Sequence, residues 1–309
     1  MVDHIKICEG ISDISDSYNG FLIDQWGTLH DGKAVFPEVI ETLTHLKSRG
    51  KQIILISNSA KTPAEDLKRV KDMGLTRDLF DHIVTSASVM RNSLEDRNGV
   101  FEGVGDKCFL MNRHGYMSGV DEINNVTLVN DIEEADFILL TGSDAPEKTL
   151  DNYYDALLKK ASRKQIKMIC ANPEKTITID GEHFMGSGDI ARRYDEVGGV
   201  VIYIGKPYPS IFKHAMDLFK DLYQSQVCMI GDSLANDMLG AKNLDMDCAL
   251  IASGMHKGSF KKVLSRADIH KVLKLLGTNY GVEPTYFIPK FHWGKALPDR
   301  KNKRKSTKK

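Results

Sequence analysis

Gly20-Phe21-Leu22-Ile23-Asp24-Gln25-Trp26-Gly27-Thr28 runs from apolar residues into a carboxylate and then into a glycine turn. In an open α/β sheet, a carboxylate at the carboxyl end of a buried strand is where chemistry meets a ligand. Taken alone, the stretch reads more simply as a strand closed by a turn-stabilising Asp. Three later segments change that reading. Gln52-Ile53-Ile54-Leu55-Ile56 ends in Ser57-Asn58-Ser59, which puts a hydroxyl and an amide where an oxyanion could be hydrogen-bonded. Val200-Val201-Ile202-Tyr203-Ile204 leads to Gly205-Lys206 and a proline-stiffened turn into a helical pattern from Ser210. Val227-Cys228-Met229-Ile230-Gly231 ends in Asp232, with Asp237 five residues further on. Each group has a bland explanation as a cap or a solvated charge. All of them falling just past an apolar run argues for one shared site.

These residue types suit one chemistry. An Asp nucleophile meeting an anionic substrate needs a cation beside it. Magnesium takes oxygen ligands and fits Asp24 with Asp232, a backbone carbonyl and waters completing the shell. Lys206, Ser57 and Asn58 would neutralise and hold a transferring phosphoryl group. Attack by Asp24 would give an aspartyl-phosphate.

With these motifs, the chain resembles the haloacid dehalogenase (HAD) superfamily of hydrolases. The resembling branch carries an α/β cap between its second and third motifs and includes sugar- and nucleotide-phosphate phosphatases and pyridoxal phosphate phosphatase. Gly199 to Ile211 matches that branch's third motif, and Ala171-Asn172-Pro173-Glu174 matches the end of its cap. The resemblance spans most of residues 16–256. It implies Asp24 as nucleophile, Ser57, Asn58 and Lys206 around the phosphate, and magnesium held by Asp24, the Trp26 backbone carbonyl and Asp232, with Asp237 behind them. The implied fold is α/β, a HAD-like doubly wound parallel sheet with an inserted α/β cap domain.

One departure bears on activity. Phosphatases of the superfamily carry a second Asp two residues after the nucleophile, which protonates the leaving group and then activates water. Trp26 stands there, and an indole is only a hydrogen-bond donor. General acid–base help is worth about two to four orders of magnitude in rate. His30 and Asp31 lie in the same loop, and His30 is the candidate substitute proton donor. Acyl phosphates would need no such donor. Some sequences of the branch resemble this one in reading Asp-x-Trp-Gly. The superfamily's true dehalogenases look similar here too, with Asp-x-Tyr-Gly-Thr, so cleavage of a carbon–halogen bond is an alternative. Asp232 and Asp237 argue against it, because added carboxylates would only raise the pKa of a metal-free nucleophile. A second alternative is a catalytically weak protein that binds a phosphate ligand without turning it over.

Organisation follows from gap lengths. The helix expected over Pro37 to Arg49 places Val39, Ile40, Leu43 and Leu46 on one face. Lys206 lies 149 residues after Ser57, far more than one crossover needs. The expected layout is a discontinuous core over 16–87 and 191–275, a cap over 88–190, an N-terminal extension over 1–15 and a basic tail over 298–309. Asn172, at a strand end in the cap, is a candidate substrate contact, with Gly186-Ser187-Gly188-Asp189 nearby.

The chain has 309 residues, 41% hydrophobic, enough for one large or two moderate domains. Its zero formal charge hides a tail: residues 300–309 hold seven basic side chains and no acid, leaving the remainder acidic by seven. Such a tail predicts a solvated end and no specific nucleic-acid site. Five scattered cysteines without Cys-x-x-Cys spacing predict neither zinc nor a disulfide framework. With no secretory pattern and no membrane-length apolar run, a cytoplasmic enzyme acting on a small phosphorylated metabolite is expected, with the cap as the face for any homo-oligomer.

Overall fold

The structure, a computed structural model, describes residues 5–97, 101–179, 182–261 and 265–294. The basic tail expected over 298–309 lies outside the described residues. From the N-terminus, β1 (Lys6–Ile7), β2 (Gly20–Asp24), β3 (Gln52–Ser57) and β4 (His82–Thr85) lie in one sheet. A second sheet takes β5 (Lys107–Met111), β6 (Thr127–Val129), β7 (Phe137–Leu140) and β8 (Lys167–Cys170). After an antiparallel hairpin of β9 (Thr176–Ile179) and β10 (Glu182–Met185), β11 (Val201–Tyr203) returns to the second sheet. Then β12 (Val227–Gly231), β13 (Asp247–Ile251) and β14 (Tyr286–Ile288) complete the first.

Both sheets are parallel throughout, in spatial orders β1-β14-β13-β12-β2-β3-β4 and β11-β8-β7-β5-β6. The central strands are apolar on both faces because helices cover both faces. Leu22, Ile54, Ile56 and Met229 pack into one cluster, while Phe21, Ile23, Ile53, Leu55, Cys228 and Ile230 pack into another. That alternation is the period-two geometry of a strand. From β2 the chain steps outward to β3 and β4; from β12 it steps the opposite way to β13 and β14. The carboxyl ends of β2 and β12 therefore flank the reversal of strand order, where doubly wound sheets form a crevice.

Several expectations change at this level. The first sheet extends past 16–275 at both ends: β1 lies in the expected N-terminal extension and pairs with β14. A two-residue strand has too short a pattern to be read from sequence. β11 lies inside the segment expected to be core, yet pairs with β8. Its Val-Ile-Tyr is equally suited to either sheet, so only pairing decides. In the helix Val39–Ser48, Val39, Leu43 and Leu46 are buried but Ile40 is 44% exposed. A step of one residue turns about 100° and carries Ile40 off the stripe. Thr42 is buried instead, its hydroxyl donating to the Glu38 carbonyl at 2.7 Å. All five cysteines are buried free thiols, and no helix among the described residues is long and apolar enough to cross a membrane.

Candidate active site

β2, β3 and β12 are neighbours, so Asp24, Ser57 and the loop from Asp232 to Asp237 emerge side by side. Carboxylate oxygens of Asp24, Asp232 and Asp237 all lie within 4.8 Å of one another, and all three residues are buried. Lys206 reaches them from the exit of β11. Its ammonium donates to Asp24 Oδ1 at 2.5 Å and to Asp237 Oδ1 at 2.7 Å.

Three buried carboxylates facing one lysine carry an excess of negative charge, which is costly unless compensated. The titration behaviour reflects this. Burial raises the Asp24 carboxyl well above the usual range; Lys206 opposes that shift, while Asp237 and Asp232 add to it. Burial, followed by the field of Asp237, pushes Asp232 up to about 7. Lys206 is raised because the two carboxylates outweigh its own desolvation. An oxygen-only donor set with surplus negative charge fits a hard divalent cation.

The site is assembled by close backbone approaches. Gly27 has φ +80°, and a Cβ there would stand 1.9 Å from Asp232 Oδ2; at Gly254 it would stand 2.1 Å from the same oxygen. Glycine at both positions lets two loops close around Asp232, and the Met255 N–H then donates to Oδ2 at 2.7 Å. Asp237 Oδ2 accepts from the Ser233 N–H at 3.0 Å, which turns its other oxygen to Lys206.

Asn58 does something other than expected. Its Oδ1 accepts from the Lys206 N–H at 2.6 Å and its Nδ2 donates to the Lys206 carbonyl at 3.0 Å. The amide expected to hold phosphate is spent on clamping the lysine's backbone. Gly205, with φ +105°, permits this, because a Cβ there would meet Asn58 Oδ1 at 2.7 Å. Ser57 keeps its hydroxyl proton available: its Oγ only accepts, from the Ser59 N–H at 3.3 Å.

Asn172 is likewise absorbed locally, its Oδ1 accepting from the Glu174 N–H at 3.3 Å. Gly186 and Gly188 act as close-approach residues; a Cβ at either would stand 2.2 Å from a carbonyl of the Pro173–Glu174 loop. Arg192 pairs with Asp189 and Glu196, and Arg193 with Asp155 and Glu196.

Two features were missed by reading the sequence. Glu174 Oε1 accepts from Asn58 Nδ2 and from Asn236 Nδ2, both at 2.9 Å. A loop of the second sheet thereby grips the loops that carry Asn58 and Asp237. Its position in the Ala171–Glu174 motif was the available signal. Behind Asp24, fully buried Gln25 donates to Asp66 Oδ2 at 2.7 Å and accepts from Arg69 at 2.9 Å. The Asp66 and Arg69 spacing of three on the helix Pro63–Asp72 was visible, but its partner 41 residues away was not.

His30 is fully buried, and its Nδ1 accepts from the Gly32 N–H at 3.0 Å. The proton of the neutral ring therefore sits on Nε2, a buried atom without a hydrogen-bond partner. Burial, then the nearby Arg69, lowers its pKa to about 4. No hydrogen bond joins it to Asp24 or Lys206. A neutral ring with one nitrogen spent and the other sealed in is no proton donor for the site, which corrects the expectation. Asp31 is also occupied, accepting from the Lys33 and Ala34 N–H groups, and these bonds hold its carboxyl below the usual range.

Because folding lowers the His30 pKa below its unfolded value, the unfolded chain takes up this proton first. Stability is present above pH 6.5 and is lost as pH falls towards 4. Between pH 7.5 and pH 5 this group alone costs about 2 kcal/mol. Urea unfolding of wild type and His30→Gln at both pH values should show a difference in stability that shrinks or reverses at the lower pH. A difference independent of pH would contradict the assignment.

The chain's comparisons agree with this architecture. Residues 21–125 match the model of the haloacid dehalogenase-like hydrolase family, and residues 203–276 match a HAD-hydrolase-like model. An acid sugar phosphatase of Staphylococcus haemolyticus is 27% identical over 241 residues, 77% of this chain and 87% of that protein. A 5'-nucleotidase of Bacillus subtilis is 28% identical over 245 residues, 78% of this chain and 90% of that protein. A haloacid dehalogenase-like hydrolase of Brucella suis superimposes with a TM-score of 0.75 at 24% identity, covering 92% of this chain and 99% of its own. A p-nitrophenyl phosphatase of Archaeoglobus fulgidus gives 0.66 at 23% identity, over 89% and 97%. With a doubly wound core, a second α/β sheet inserted between Ser57 and Lys206, and these matches, the chain belongs to the haloacid dehalogenase-like hydrolases.

Proposed function

We propose that the protein is a divalent-metal-dependent phosphatase of a small phosphorylated metabolite, with Asp24 as the nucleophile. The observation that carries this reading is the convergence of Asp24, Asp232 and Asp237 within 4.8 Å on one buried lysine. The names of its relatives, a sugar phosphatase and a nucleotidase among them, support the phosphate chemistry.

Asp24 and Asp232 would hold magnesium, with the Trp26 carbonyl as the third protein ligand. The ion, when bound, supplies positive charge against the phosphoryl oxygens. Asp24 attacks phosphorus, the bond to the leaving oxygen breaks, and that oxygen departs with the electron pair. An aspartyl-phosphate results, and water attacks its phosphorus to release inorganic phosphate and restore Asp24. Lys206 stays protonated, neutralising Asp24 and Asp237 and meeting the phosphoryl charge. The Ser57 hydroxyl donates to a phosphoryl oxygen. Asn58, Glu174 and Asn236 keep the lysine in line. Buried free thiols throughout accord with a reducing compartment such as the cytoplasm.

The test is phosphate release from a panel of sugar phosphates, nucleotides, aryl phosphates and acyl phosphates. Chelation should remove turnover, and added magnesium should restore it. Turnover that persists without metal, or halide release from a 2-haloacid, would overturn the reading. Tight phosphate-ester binding without release would identify a binding protein instead.

A further inference from the structure

We propose that the site selects phosphate compounds whose leaving oxygen departs as a stable, planar anion, such as a phenolate, heteroaryl oxide or enolate, and that Trp26 is the residue that reads it. This rests on the phosphatase reading of Asp24 and deepens it.

The first support is a survey of proton donors. An alkoxide cannot leave unless something protonates it. Lys206 is committed by two hydrogen bonds to Asp24 and Asp237. Asp237 accepts from both Lys206 and Ser233, and Asp232 accepts from the Met255 N–H and would be taken up by the metal. Glu174 is fixed as an acceptor between two amides. His30 accepts from the Gly32 N–H at Nδ1 and its Nε2 is buried, and Asp31 caps its own exposed turn. The Trp26 indole donates a hydrogen bond but does not release its proton. A leaving group of low basicity needs none of these.

The second support is Trp26 itself. It follows the nucleophile by two residues and is 58% exposed, although Asp24 and Gln25 beside it are buried. The ring is seated rather than loose. A Cβ on Gly32 would meet its Cζ3 at 2.1 Å, and His30 stands edge-on to it at 5.9 Å and 83°. The Gly27 N–H donates to the His30 carbonyl at 2.9 Å and closes the loop behind it. One side of the indole is thus backed by protein and the rest is exposed, two residues past Asp24. An exposed, pre-seated aromatic ring favours a flat partner by offset stacking.

In the first step Asp24 forms its bond to phosphorus as the phosphorus–oxygen bond to the leaving group breaks. The electron pair stays on the departing oxygen, which takes a proton from bulk water only after release. The second step, attack by water, gains nothing from a good leaving group and still lacks a base. Phosphorylation of Asp24 should therefore outrun its hydrolysis.

The experiment uses the full chain with magnesium, a series of substituted phenyl phosphates, and ethyl phosphate. Wild type should show kcat/KM rising steeply with leaving-group acidity, ethyl phosphate on the order of 10² to 10⁴ below phenyl phosphate, and a burst of about one phenol per site. Trp26→Ala should raise KM for phenyl phosphate about tenfold with little change in kcat, while Trp26→Phe should keep it low. Ethyl phosphate turned over as well as phenyl phosphate, or a KM for phenyl phosphate unmoved in Trp26→Ala, overturns the proposal. If those results come with activity that vanishes in Asp24→Asn, only the specificity assignment fails. If Asp24→Asn retains the activity, or neither an ester nor an acyl phosphate is turned over, the phosphatase reading fails and takes this one with it.

Discussion

Asp24→Asn should abolish phosphate release while leaving the fold intact or slightly firmer. The expected loss in kcat is on the order of 10⁴-fold or more, as for removal of other covalent nucleophiles. An amide matches the carboxylate in size but is not a competent nucleophile towards phosphorus. Its stability consequence has the opposite sign from that of an ordinary core mutation. Asp24 is buried beside Asp232 and Asp237, and that environment already disfavours its charge. Removing the charge relieves repulsion, while the amide oxygen can still accept from the Lys206 ammonium, now at 2.5 Å from Asp24 Oδ1. Turnover and thermal unfolding measured on the same preparation separate the two effects. Retained turnover would remove Asp24 from the chemistry, and inactivity with a much lower unfolding temperature would show misfolding instead.

Trp26→Asp should act in the other direction and create activity. A carboxylate two residues past the nucleophile could protonate a leaving alkoxide and then take the proton from attacking water. General acid–base participation of this kind raises rates by about 10² to 10⁴, so turnover of ethyl phosphate should rise within that range. The dependence on leaving-group acidity should flatten, and the phenol burst should vanish because hydrolysis of the intermediate also accelerates. Removing the indole opens space over Gly32, whose backbone the ring now covers, so some loss of loop order accompanies the gain. Unchanged ethyl phosphate turnover in a folded variant would mean that proton transfer does not limit this enzyme.

The parts of the site that were legible in the sequence share one property: each sits at the end of an apolar run. Asp24, Ser57 and Asp232 follow runs of hydrophobic residues too continuous for a half-exposed strand, and a parallel sheet is the natural home for such runs. Lys206 was found the same way, although the strand before it joins the second sheet. What escaped notice were the side chains whose roles depend on a distant partner. Asn58 looked like an oxyanion donor because an amide at a strand end has that capacity; whether it spends it on a ligand or on the Lys206 backbone depends on where Gly205 lets the chain pass. Nothing local to Glu174 announces its role, since the Asn58 and Asn236 amides that hold it are 116 and 62 residues away.

His30 marks the boundary most clearly. An imidazole four residues past Trp26 has a suitable reference pKa, and nothing local argues against its use as an acid. Burial and the Gly32 N–H disqualify it, and both are properties of the folded loop. The amino-acid order was thus sufficient for the sheet class, the inserted second sheet and the four groups at strand ends, because hydrophobic periodicity and gap length are local quantities. Protonation, free valence and access were settled by folding, because each depends on desolvation and on partners that the chain brings together from far along its length.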